Sequence, residues 1–104
     1  MSDKATSTKW TVTYSRKADK QRNALPEKIR ATMAVLAKEI SEYGPMRKNW
    51  HNFGSLQGKG LPCNTYHCHL KKGKPTYVSC WYIVNKALKK VEVFYVGTHE
   101  NAPY

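Results

Sequence analysis

The chain has 104 residues, enough for one domain built around one core and too few for a separate substrate or regulatory domain. Lys and Arg number 18 against 7 Asp and Glu, a formal charge of +11 with histidine neutral, which points to a polyanionic partner such as nucleic acid. At 40% hydrophobic and 12% aromatic residues the chain is not disordered, and no run approaches the ~20 apolar residues that span a bilayer.

Residues 1–9 are polar and lack the apolar core of a signal peptide, so they read as a flexible N-terminus on a cytoplasmic protein, ahead of a single domain over 10–104. Residues 10–14 read as a strand, because Trp10, Val12 and Tyr14 alternate with Thr11 and Thr13. Ser15 is a candidate N-cap for a short polar helix over 16–24, and Pro26 separates it from a second helix. Ile29, Met33, Leu36 and Ile40 give that helix one apolar stripe, and Gly44 and Pro45 end it. Residues 46–62 have no periodicity and read as a long glycine-rich loop carrying Trp50, His51, Phe53 and Lys59. Three strand-like segments follow, over 65–71, 76–84 and 90–98, and their short connections argue for an antiparallel meander. The expected class is α+β: a strand, two helices, then a three-stranded meander, with the helices on one sheet face and the opposite face partly open.

The charge is unevenly placed. No acid lies between Glu42 and Glu92, while Arg47, Lys48, Lys59, Lys71, Lys72, Lys74, Lys86, Lys89 and Lys90 all fall there. Of these, Arg47, Lys48, Lys59, Lys71, Lys72 and Lys74 are the expected RNA and phosphate contacts, and Trp50 or Trp81 are candidates for stacking unpaired bases.

Alternation in 65–71 puts Tyr66, Cys68 and Leu70 on one face and Thr65, His67, His69 and Lys71 on the other. His67 and His69 then stand about 6.6 Å apart, close enough to address one phosphate. His99 follows the last strand, and Tyr104 lies five residues beyond it. Histidine titrates near neutrality, and nearby lysines would lower its pKa. These are the parts that RNA cleavage needs: a base for the ribose 2′-hydroxyl, cations for the phosphorane and an acid for the leaving 5′-oxygen. His51, alone in the loop, reads as structural. The rival reading is zinc bound by His67 and His69 with Cys63 or Cys68. Alternation turns Cys68 away from the histidines, no CxxC pair exists and the net charge opposes a cation, so the expected site has no metal and no cofactor. The three cysteines cannot all pair with one another and read as reduced thiols.

In this layout the chain resembles the RelE/ParE superfamily, specifically the RelE- and HigB-type toxins of bacterial toxin–antitoxin pairs. The resemblance rests on Trp10-Thr11-Val12-Thr13-Tyr14 before two helices, on Leu56-Gln57-Gly58 leading into Tyr66-His67-Cys68-His69-Leu70, on the strand from Tyr77 to Val84, and on the run from Val93 to Tyr104. It implies a toxin that enters the ribosomal A site, cuts mRNA there and is held inactive by a cognate antitoxin. By matching, His67 and His69 supply base or phosphate stabilisation, His99 is the general acid, and Tyr104 is the aromatic beside the cleaved phosphate. Many members carry an arginine on the third strand, whereas Tyr77-Val78-Ser79-Cys80-Trp81 has none, which leaves Lys59, Lys71 or Lys74 to offset phosphate charge. The alternative is a ParE-like protein with the same fold that binds and inhibits DNA gyrase without RNA chemistry.

Overall fold

A computed structural model describes residues 9–58 and 60–104, so the expected flexible N-terminus, apart from Lys9, and the phosphate contact expected of Lys59 lie outside the described residues. The elements are β1 (Thr11–Tyr14), α1 (Arg16–Asn23), α2 (Glu27–Tyr43), β2 (Gly54–Leu56), β3 (Thr65–Lys71), β4 (Tyr77–Asn85), β5 (Lys90–Thr98) and a 3₁₀ turn at His99–Asn101. Ser15 caps α1 by accepting the Ala18 N–H at 3.1 Å. The left-handed backbone of Gly44, at φ 99°, ends α2, and its N–H bonds the Ile40 carbonyl.

One five-stranded sheet runs in the order β1-β5-β4-β3-β2, with β1 parallel to β5 and every other pair antiparallel. The expected meander is its β3-β4-β5 part. One feature differs from the sequence reading. The stretch over 46–62 is not all loop, because Gly54–Leu56 adds an edge strand whose Gly54 lies opposite His67. The isolated residues Ser55 and Leu56 carry too short a pattern to announce it. The N-terminal strand joins the sheet through β5, a pairing the sequence reading left open.

The helices cover one face. Ile29, Met33, Leu36 and Ile40 of α2 and Ala18 of α1 pack on Cys68, Leu70, Trp81, Val91, Val93 and Val96. On the opposite face Val78, Cys80 and Tyr95 form a small second core with Leu56, Phe94 and Ala102. A bulge separates the two layers in β5: Cys80 pairs with Tyr95 and Trp81 with Val93, leaving Phe94 extra. This one-residue shift turns Tyr95 onto the open face, although Val91 and Val93 point to the helices.

Candidate active site

Cross-strand register lays out the open face in rows. Gly54, His67, Cys80 and Tyr95 are successive neighbours across β2, β3, β4 and β5, and His69, Val78 and Gly97 form the next row. Small or apolar residues beside the imidazoles give them a floor without competing donors. Tyr95 folds its ring over Gly97, where an added Cβ would sit 2.7 Å from the phenol oxygen. The Tyr95 hydroxyl donates to the Thr98 carbonyl at 2.7 Å. Together with the His99 N–H bound to the Thr76 carbonyl at 2.8 Å, this fixes how the chain leaves β5 and enters the 3₁₀ turn. Ala102 then seats in the second core, and Tyr104 returns over β3.

Edge and tilted ring contacts link five side chains. The centroid of Tyr104 is 4.8 Å from that of His67 and 5.7 Å from that of His99, and His99 is 5.6 Å from His69. His51 closes the series, 5.6 Å from His69. The Tyr104 hydroxyl lies 3.4 Å from His67 Nδ1. The structure therefore brings His67, His69, His99 and Tyr104 into one group.

It also recruits His51, which the sequence reading took as structural, and Asn52, which that reading did not name. The His69 backbone N–H donates to the His51 carbonyl at 2.8 Å, and the Asn52 side-chain amide sits 3.4 Å from His69 Nε2. Asn52 takes a left-handed backbone, φ 55°, which a short polar side chain tolerates. The contact arises because the loop before β2 folds back along β3. No periodic signal marks it, and only the Asn52-Phe53-Gly54 turn composition hints at it.

The imidazoles share a lowered pKa. Burial depresses His67 below its usual 6.5, helped by the charges His69 and His99 can carry; burial likewise depresses His69, helped by His99 and His51. Desolvation comes first and neighbouring histidines second, so the lysines expected to cause the shift are not its source. Although the Tyr104 residue is 43% exposed, burial of its phenol end pushes the hydroxyl up to about 12, leaving it neutral at pH 7. Burial also raises the Cys68 and Cys80 thiols to about 12, which keeps them protonated and unreactive as nucleophiles near neutrality. Cys68 lies in the helix-side core, as alternation expected. Among the described residues no group of three or more His, Cys, Asp or Glu could hold a metal ion.

The cations divide sharply. Lys71, at the end of β3, and Lys72 and Lys74, on the hairpin that follows, are exposed; Lys71 and Lys72 line a cleft with His51 and His69, and Lys74 a second cleft with His69 and His99. Lys71 Nζ donates to the carbonyls of Lys72 and Pro75. Lys48 is exposed. Arg47, expected at phosphate, is instead half-buried, bound to the Glu39 carboxylate at 3.3 Å and to the Gly44 carbonyl at 3.0 Å, so its charge is already offset. Trp81, expected to stack on bases, is wholly buried; strand alternation turns it to the helices, where its indole N–H donates to the Pro45 carbonyl. Trp50 is half-buried and donates to Glu39 at 2.8 Å, which lowers the pKa of that carboxylate.

No family model matches the sequence, and no curated protein matches it. Solved structures do match. The isolated RelE toxin of E. coli superposes with a TM-score of 0.65 at 17% identity, over 90% of this chain and 88% of that one. The archaeal RelE–RelB complex from Pyrococcus horikoshii gives 0.64 at 18% identity, over 91% and 100%. The chain has the fold of the RelE toxins. A metal-bound toxin from Helicobacter pylori shares this RelE fold at 22% identity and a TM-score of 0.62, over 88% of this chain and 96% of that one. On the RelE fold the histidine group lies on the sheet face away from the helices, at the end of β3 that carries the lysine hairpin. No helix among the described residues is long and apolar enough to cross a membrane.

Proposed function

We propose that this chain is a ribosome-dependent endoribonuclease toxin that cuts mRNA in the ribosomal A site and that a cognate antitoxin silences it by covering the site. The observation carrying this reading is the group His67, His69, His99 and Tyr104, held by ring contacts of 4.8 to 5.7 Å beside a lysine hairpin. RelE-fold structures solved with antitoxins, such as the Pyrococcus RelE–RelB complex, support the partner.

The chemistry follows from the protonation states. His67 and His69 titrate below 6.5 and are neutral at pH 7, ready to accept the 2′-hydroxyl proton. In the tautomer that donates Nδ1–H to the Tyr104 oxygen, His67 presents a bare Nε2 as the acceptor. The 2′-oxygen attacks phosphorus to form the 2′,3′-cyclic phosphate, Lys72 and Lys74 offset charge on the phosphorane, and the bond to the 5′-oxygen breaks as His99 supplies its proton. No step requires a metal.

The test maps mRNA ends on translating ribosomes after induction of the wild type, His67→Ala and His99→Ala. Loss of an acid or base at such a site costs about 100-fold or more, so cleavage should nearly vanish in both variants and should persist in chelator for the wild type. Undiminished cutting by the variants would overturn the assignment. Gyrase-linked DNA damage with intact mRNA would replace it with the ParE-like function.

A further inference from the structure

His67 and His69 share one strand, and the segment from His51 to Gly54 meets their rings differently. That segment is pinned on both sides. The Trp50 indole N–H and the Arg47 guanidinium donate to the Glu39 carboxylate at 2.8 and 3.3 Å, and the Phe53 N–H closes a turn on the Trp50 carbonyl at 3.2 Å. Phe53 then stacks on Tyr66, with ring centroids 5.7 Å apart. Between these anchors the His51 carbonyl accepts the His69 backbone N–H at 2.8 Å, which holds the turn against β3.

Asn52 is therefore delivered to His69 by the backbone on either side of it, and its side-chain nitrogen Nδ2 lies 3.4 Å from His69 Nε2. An amide nitrogen carries two hydrogens and accepts none, so this hydrogen bond has one direction: Asn52 donates and His69 Nε2 accepts. The ring that accepts at Nε2 is the neutral tautomer with its proton on Nδ1. Its basic lone pair is then occupied by Asn52. Burial and the charges that His99 and His51 can carry favour the neutral ring as well. His67 is treated in the opposite way. Its cross-strand neighbour is Gly54, where an added Cβ would rest 3.4 Å from His67 Nε2. Glycine leaves that nitrogen uncovered, and the Tyr104 hydroxyl approaches the other one, Nδ1.

We propose that Asn52 is a positioning residue that locks His69 as a neutral Nδ1–H donor, so that His67 alone is the general base and His69 stabilises the phosphorane through that hydrogen. This rests on the ribonuclease reading and divides between the two histidines a role that it gives to both. The 2′-hydroxyl proton passes to His67 Nε2 as the bond from the 2′-oxygen to phosphorus forms. The bond to the 5′-oxygen breaks as His99 supplies a proton, and His69 keeps its own proton throughout.

The first experiment reads the imidazole tautomers by NMR of the ring nitrogens in the full chain at about pH 8, where the rings are neutral. The wild type should carry the His69 proton on Nδ1. Asn52→Asp puts an acceptor in place of the donor on a residue that tolerates the same left-handed backbone, φ 55°, and should move the proton to Nε2. Asn52→Gly, which keeps that backbone without strain, should leave a mixture of the two tautomers. A wild-type His69 protonated on Nε2, or a tautomer indifferent to both substitutions, overturns the clamp. The second experiment measures mRNA cleavage on translating ribosomes per mole of folded protein. An asparagine amide supplies an N–H close to where the imidazole Nδ1–H stood and has no basic nitrogen. His69→Asn should therefore cut about 10-fold or more faster than His69→Ala, whereas His67→Asn should be no faster than His67→Ala. Equal rates for the two His69 variants overturn the donor role. A wild type that cuts no message overturns the ribonuclease reading and the donor role with it, while the tautomers decide the clamp independently.

Discussion

Burial of His67 and His69 has an energetic signature besides its chemical one. Each has a folded pKa below the 6.5 of the free side chain, so between those values the unfolded chain binds more protons than the folded one. Their stabilising contribution is therefore complete above pH 6.5 and is lost as pH falls through the folded pKa of each. Thermal denaturation between pH 8 and pH 5 should show the melting temperature declining below about 6.5, and His67→Gln should flatten the decline. An unchanged slope in that variant would mean His67 is not the group responsible. At this scale the sequence was a good guide to the strand residues, because period two fixes which side chains share a face. It was a poor guide to Trp81 and Arg47, whose aromatic and cationic character suited RNA but whose places, under α2 and against Glu39, depend on packing between distant segments. His51 was read as structural for the same reason: its neighbour His69 is reached through space by a loop without periodicity.

Among the elements, β5 shows how a local irregularity builds the site. Without the extra residue Phe94, the inward phase of Val91 and Val93 would carry Tyr95 under the helices, and nothing would hold the exit to His99. Gly97 completes the device, because a methyl group there would collide with the Tyr95 phenol. Gly97→Ala should cost about 1–3 kcal/mol, the usual penalty for overpacking, in urea denaturation. It should also reduce mRNA cleavage by more than the lost folded fraction explains, since His99 loses its anchor; a variant with full activity would show that the Tyr95 clasp does not position the histidine. The helices were legible to within a residue or two, because the Ser15 cap, Pro26, the four-residue stripe and Gly44 all agree. Neither the bulge nor β2 was legible, since one inserted residue and a three-residue strand leave no periodic trace.

At the level of the whole molecule, the excess of +11 is spread over both sides of the sheet, since α1 and α2 also carry Arg16, Lys17, Lys20, Arg22, Lys28, Arg30 and Lys38. What marks the histidine side is the hairpin: Lys72 and Lys74 border the site in a stretch with no acid between Glu42 and Glu92, although Glu39 of α2 lines the cleft that His51, His69 and Lys72 share. Binding to ribosomes should weaken steeply with salt, each phosphate contact adding roughly 0.7 to 0.9 to the logarithmic slope, and replacing Lys72 and Lys74 together by alanine should lower that slope by about 1.4 to 1.8. A titration in which the double variant keeps the wild-type slope would place the RNA contacts elsewhere. The sequence announced the charge and the sheet but not how the sheet closes, because the parallel pairing of Thr11–Tyr14 with Lys90–Val93 joins segments nearly the whole chain apart. That pairing makes the order of synthesis matter. β5 is the floor of α1, the partner of β1 and the stem of the turn that bears His99, yet it follows every other described strand in chain order. Contacts of such long sequence separation form late in folding. For a toxin of the proposed kind, the nascent chain stays harmless to the ribosome that is making it: its cutting face does not exist until its own message has been read through β5.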